Sequence, residues 1–240
     1  MVCLMFLPVL LNAGSKENEL LSAAASGEPK QVQQLIDAGA DINAQDEKGA
    51  TALFKAVVNK NPRVVEILLS AKADVNLAEK DGTTPLMVAA KEGYNDILQM
   101  LLSAKPDVNA KDQGGNTALM KAAWNGNVGA TESLIQKKAD VLSKDQDGNT
   151  ALSNAAYNGH SVAIKRLLEA GAEMDSRDQD GRTPLMKASK NGHMEAVDML
   201  VASGADVNVQ SSDGKSALQL AIENGHREIA RYLQKSGARP

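Results

Sequence analysis

The stretch DGTTPLMVAAKEGY, Asp81–Tyr94, decides the fold, because DGRTPLMKASKNGH, Asp180–His193, nearly repeats it 99 residues later. The offset is three periods of 33: Gly49, Gly82, Gly115, Gly148, Gly181 and Gly214 are spaced 33 residues apart. Two residues after each glycine comes Thr or Ser, then Ala or Pro, then Leu, as in Thr51-Ala52-Leu53, Thr117-Ala118-Leu119 and Ser216-Ala217-Leu218. No residue is gained or lost between the first and the last of these glycines. A fixed period of roughly 20–50 residues is the mark of a stacked-repeat architecture.

Each unit reads as a sequence of local instructions. Asp or Asn beside the glycine starts a turn, and the glycine supplies the positive φ that the turn needs. The Thr is then placed to cap a helix by accepting from an early backbone N–H. Pro85 and Pro184 fall at the first helical position, where a missing N–H costs nothing. Small residues follow (Ala89-Ala90, Ala122-Ala123, Ala155-Ala156), so a neighbouring helix can approach closely. Gly93, Gly126, Gly159, Gly192 and Gly225 stop the first helix. A second helix carries paired aliphatics, Leu68-Leu69, Leu101-Leu102, Leu134-Ile135, Leu167-Leu168 and Leu200-Val201, and ends at a GAD or KAD element.

This wording, TPL, AA, G-H, LL and GADVN at a period of 33, resembles the ankyrin repeat family over residues 18–240. The resemblance implies an all-α solenoid of stacked helix–turn–helix units with β-turn fingers. Residues 1–14 form an apolar leader and residues 15–240 the repeat domain. Its seven repeats run over about 15–45, 46–78, 79–111, 112–144, 145–177, 178–210 and 211–240. The first repeat lacks a finger, and Asn18-Glu19-Leu20 takes the Thr-Pro-Leu columns with Asn18 as the expected N-cap. The last is polar on its outer helix, with Arg227, Arg231, Gln234 and Lys235, as a capping repeat must be.

Three columns depart from the family wording or raise a question of chemistry. Where the family has His after Thr-Pro-Leu, this chain has Phe54, Met87, Met120, Ser153, Met186 and Gln219. The methionines read as core filler, with a Met-rich binding stripe as the alternative. The column that ends the second helix reads Gly39, Lys72, Lys105, Lys138, Gly171, Gly204 and Gly237. A left-handed backbone costs a non-glycine residue about 1 kcal/mol, so the lysines should soften repeats 2 to 4. His160, His193 and His226 share a third column. Packed helices lie about 10 Å apart, whereas zinc needs its ligands near 2.1 Å, so these read as capping histidines rather than a metal site.

Composition excludes more than it assigns. A net charge of −4 gives no pull toward nucleic acid. The single cysteine, Cys3, allows neither an intrachain disulfide nor a cysteine metal cluster. The apolar run Met1–Leu11 followed by Asn12-Ala13-Gly14 is too short to span a bilayer. It suits a secretory signal lacking its basic n-region, or else a segment packed on the first repeat. The signal reading makes the protein exported, in the setting of a bacterial periplasm, with the cytoplasm as the alternative. No nucleophile–base pair, carboxylate pair or phosphate loop emerges, and DQGGN (Asp112–Asn116) lacks the Lys and Ser/Thr of a P-loop. We therefore read no enzyme, no cofactor and no metal, and a monomer with no membrane span once the leader is removed.

By resemblance, a partner protein binds the concave face of fingers and first helices. Trp124 and Tyr157 occupy one column of adjacent repeats, in a chain with only 2% aromatic residues. Trp and Tyr dominate interface hot spots. Asn116, Asn125, Asn149, Asn154 and Asn158 surround them, and Lys91, Lys121, Arg182 and Lys190 supply flanking charge. These eleven residues form the expected partner-binding surface. Two other readings are an accessory that regulates or protects an exported enzyme, and a small-molecule or nucleic-acid binder with a weak basic stripe of Lys55, Lys121 and Lys187, which the net charge and the fingertip acids argue against.

Overall fold

The computed structural model describes residues 13–239. It contains fourteen helices and no strand among the described residues. The first helices of the repeats are α1 (Ala13–Ser26), α3 (Ala52–Val58), α5 (Pro85–Glu92), α7 (Ala118–Trp124), α9 (Ala151–Tyr157), α11 (Pro184–Lys190) and α13 (Ala217–Glu223). The second helices are α2 (Pro29–Asp37), α4 (Pro62–Ser70), α6 (Asn95–Ser103), α8 (Val128–Gln136), α10 (Ser161–Glu169), α12 (Met194–Ala202) and α14 (Arg227–Lys235). None of the helices among the described residues is long and apolar enough to cross a membrane.

The chain divides into two compact units. One holds the residues through Ala89 together with Asp96–Asp107; the other holds Ala90–Asn95 and everything from Val108 onward. Within the first, α1 packs on α2 and α3, and α4 on α2 and α3. Within the second, α7, α9, α11 and α13 form one layer, each packed on the next, and α8, α10, α12 and α14 form the layer behind. Fully buried alanines make that layering possible: Ala122, Ala123, Ala155, Ala156, Ala188 and Ala221 have no exposed surface. Leu119, Leu134, Leu152, Leu167, Leu200 and Leu218 fill the space between the layers.

The capping grammar is as the sequence predicts. Thr51, Thr117, Thr150, Thr183 and Ser216 are N-caps whose hydroxyls accept from the backbone N–H three residues on. The column that lost the family's histidine still serves that cap. Ser153 Oγ accepts from Thr150 N at 3.0 Å, Gln219 Oε1 from Ser216 N at 2.9 Å, and Met120 Sδ from Thr117 N at 3.5 Å. Met87, Met120 and Met186 are each 1% exposed, so they are core and form no binding stripe.

One expectation fails. Asn18 is not an N-cap: α1 starts at Ala13 and runs through it. Without a finger to turn the chain, nothing interrupts the helix at that column. Side chains from the extra turn take over part of the finger's work, Lys16 Nζ donating to Ala38 O at 3.0 Å and Glu17 Oε1 accepting from Asp41 N at 3.4 Å. The remainder of the leader, residues 1–12, lies outside the described residues, and with it the expected signal segment and Cys3.

Three hydrogen-bond ladders set the register between repeats. Fingers pair through the backbone, as in Lys80 N to Lys48 O and Gln146 N to Gly114 O. Behind the second helices, Asn or Asp accepts from a backbone N–H 31 residues later: Asn43 from Asp74, Asn76 from Asp107, Asn109 from Asp140, Asp175 from Asp206 and Asn208 from Arg239. Leu142 replaces that acceptor in repeat 4 and is 54% exposed. The third ladder is the histidine column. His160, His193 and His226 sit at N-cap positions but make no cap bond in their own helices. Each Nε2 instead lies 2.9–3.0 Å from a carbonyl ending the previous first helix, those of Trp124, Tyr157 and Lys190. A carbonyl only accepts, so Nε2 is the donor in each bond. Asn61 and Asn127 fill the same column and do the same with Nδ2, toward Ala24 and Ala25 and toward Ala90 and Lys91.

Candidate partner-binding face

Trp124 and Tyr157 are the last residues of α7 and α9, and each helix is only seven residues long because a left-handed glycine follows its C-cap asparagine. Gly126 and Gly159 are doubly constrained. Both have positive φ, and a Cβ on either would lie 2.6 Å from the imidazole of the next repeat's ladder histidine. Those histidines hold the carbonyls of Trp124 and Tyr157, so the two aromatic residues rest on pinned backbone. Asn191 Nδ2 adds a second bond to Tyr157 O at 2.7 Å.

The side chains form one plate. Their rings stack with centroids 5.3 Å apart and planes 17° from parallel. Trp124 is 46% exposed and Tyr157 42%. Such a pair is worth about 0.5–1.5 kcal/mol beyond its area, yet roughly half of its surface stays in water.

Beside the plate lies a cavity of about 160 Å³ lined by Lys91, Asn116, Met120, Lys121, Trp124, Asn125 and Asn154. Residues one helical turn apart share a face, which brings Met120, Lys121, Trp124 and Asn125 together. Six of the eleven residues expected from sequence therefore meet in one place, with Tyr157 stacked against them. Asn149, Asn158, Arg182 and Lys190 do not line the cavity. Asn158 Nδ2 bonds Asn154 O at 3.2 Å, Asn149 Oδ1 accepts from Lys187 Nζ, and Arg182 pairs with Asp180 at 3.0 Å. Lys190 is half-buried and makes no ion pair among the described residues.

The electrostatics differ from a simple reading of charges. Lys121 Nζ lies 2.7 Å from Asp112 Oδ2, and Asn116 donates to the same carboxylate from both its backbone N and its Nδ2. Burial pushes the Asp112 carboxyl up, but Lys121 and Asn116 outweigh it and hold the group below its ordinary value. The same finger-to-helix pair recurs as Lys55–Asp46 and Lys187–Asp178, both at 2.7 Å. Lys55, Lys121 and Lys187 are thus neutralised by finger aspartates nine residues upstream and form no basic stripe. Sequence reasoning misses that pairing, although Asp46, Asp112 and Asp178 precede these lysines by a constant spacing.

Comparison with known proteins agrees with this architecture. A family model described as ankyrin repeats matches in three copies, over residues 20–112, 104–178 and 152–240. No curated protein matches the chain. Among solved structures, the ankyrin repeat domain of Bcl-3, described as a unique member of the IkappaB protein family, is similar with a TM-score of 0.79 and 25% identity. The match covers 90% of this chain and 97% of that one.

Proposed function

The chain belongs to the ankyrin repeat family, whose fold is generally a protein–protein interaction module, and from that premise we propose that it is a non-catalytic scaffold. It binds a partner protein through the concave finger-and-first-helix surface, centred on Trp124 and Tyr157. The observation that carries this reading is the stacked, half-exposed Trp124–Tyr157 plate beside a polar cavity. A large aromatic surface ringed by hydrogen-bonding groups has the anatomy of an interface centre with its rim. Asn125 and Lys91, both exposed, are the rim.

The test is affinity capture from source-cell lysate with the full chain and with a Trp124→Ala/Tyr157→Ala variant, both checked for folding by circular dichroism. A protein retained by the first and lost by the second supports the site. Equal retention by both moves the contact to the fingertips or the opposite surface.

Export through the leader, to a compartment such as the bacterial periplasm, belongs to the same proposal, as does a monomer with no nucleic-acid partner. N-terminal sequencing of the protein recovered from its source decides the leader: a start at Gly14 or nearby supports removal, and an intact Met1 refutes it. Light scattering on the purified chain reads the oligomeric state.

A further inference from the structure

The repeat grammar is also broken at the finger of the third repeat. The finger acid of every repeat from the second to the sixth falls in one column: Asp46, Glu79, Asp112, Asp145 and Asp178. Four of the five have settled work. Asp46, Asp112 and Asp178 pair with a lysine of the same repeat, and Asp145 accepts from the backbone and side chain of Asn149. Glu79 is released from both duties. Its own repeat has Val88 where the lysine would stand. The finger N–H of Thr83 is served instead by Asp81, which accepts from Thr83 N at 2.8 Å and from Thr83 Oγ1 at 2.9 Å. Glu79 makes no side-chain hydrogen bond or ion pair among the described residues.

Glu79 lines a cavity of about 520 Å³. A further sequence feature opens that space: Ala50 stands where the later repeats carry Thr83, Asn116, Asn149, Arg182 and Lys215. The floor is apolar, made by Ala25, Phe54 and Val58, with Val58 45% exposed. The wall is charged. The Asp46–Lys55 pair is internally neutral, which leaves Glu79 and Glu47 against Lys48, a net charge of −1.

We propose that this cavity is a second recognition subsite, which takes a basic side chain of the protein partner, its aliphatic stem on Phe54 and Val58 and its cationic head at Glu79 and Glu47. Long basic side chains are built for such a site, because they bury the stem while the head stays with charge and water. Burial, with Asp81 and Asp46 nearby, holds the Glu79 carboxyl above its ordinary value against the pull of Lys48 and Lys55, and an arriving cation would relieve it. The choice of a protein segment as the occupant rests on the scaffold reading above. The pocket's preference for a cation does not, and the two cavities share no lining residue.

The experiment uses the full chain, ¹⁵N-labelled, with three synthetic probes at low ionic strength: Ac-Ala-Leu-Arg-Leu-Ala-NH2 and the same peptide with norleucine or glutamate in place of arginine. We expect the arginine probe to shift the amides of Ala50, Phe54 and Glu79 saturably. Glu79→Gln should weaken it at least 5-fold, and Trp124→Ala should leave it unchanged. Equal binding of the norleucine probe, no effect of Glu79→Gln, or no saturable shift with any probe overturns the assignment. If this binding is present while lysate capture fails, the subsite stands and the scaffold reading falls; the reverse result removes only the subsite.

Discussion

Replacing three lysines by glycine should stabilise this protein, although nothing in their side-chain contacts explains why. Lys72, Lys105 and Lys138 end their second helices at φ values of 65°, 57° and 63°. All three are exposed and make no ion pair among the described residues. The same column holds Gly39, Gly171, Gly204 and Gly237, all with positive φ. A Cβ added at any of these four glycines meets no atom within 4 Å. Space is therefore not the issue, and the difference is the backbone alone. A left-handed conformation costs an L-residue about 1–2 kcal/mol. Glycine escapes that cost but brings extra unfolded-state freedom of about 0.5–1 kcal/mol. The net gain is about 0.5–1 kcal/mol per site, or about 2 kcal/mol for the triple variant if the sites add. In a chain of this size that amounts to about 4–8 °C in melting midpoint. Urea and thermal unfolding of the triple variant read the sum. Amide exchange near each helix end reads the local term, which matters because repeat arrays need not unfold as one unit. Gly171→Lys and Gly204→Lys provide the mirror experiment and should cost the same amount each. An unchanged or lowered midpoint for the triple variant, with the mirror variants neutral, would refute the argument from backbone strain.

Other outcomes follow from single contacts. Ser189 Oγ is fully buried without a hydrogen-bond partner, where the three preceding repeats hold Ala90, Ala123 and Ala156, so Ser189→Ala should raise stability by about 1 kcal/mol in a denaturant titration. Burial, then the charges of Asp206 and Glu173, hold the Asp175 carboxyl above its ordinary value despite the bond from Asp206 N. A group raised in the folded state contributes most at low pH and loses that contribution as pH rises through its folded value. Asp175→Asn, the residue found in this column at Asn43, Asn76, Asn109 and Asn208, should therefore stabilise at pH 7, with a gain that shrinks toward pH 3 in parallel melts. Gly126→Ala should cost clearly more than Gly225→Ala. Both sites have positive φ, but only at Gly126 would the new methyl also strike a ladder histidine. Equal costs would show that the His160 ring yields freely.

How far the sequence carried the reading depends on whether the partners lie within one repeat or in two. Turn, cap, helix and stop are local, and Thr117, Ala122, Ala123 and Gly126 announce them in order. Trp124 and Tyr157 were legible as neighbours because a shared column must bring them together. The histidines were legible as structural, but not as bridges, since their acceptors lie 36 residues back in the preceding repeat. Asn61 and Asn127 in the same column were the clue: an amide N–H serves there as well as an imidazole. Asn18 misled because a cap needs a turn before it, and the first repeat has none. Lys121 looked free because net charge and column membership say nothing about which acid lies within reach.

The ladders give the chain a built-in ruler. Every rung spans a set number of residues, 31 behind the second helices and 36 at the histidine column. Removing one residue inside a repeat would change the separation of donor and acceptor in every rung that spans the deletion. Removing or adding a block of 33 would hand each acceptor to the same column of the next block. Heritable changes of length in such a chain are therefore tolerated as whole blocks or at the ends. A lineage carrying it can lengthen or shorten its surface of fingers and first helices in steps of one repeat, while the spacing of contacts within each step stays the same.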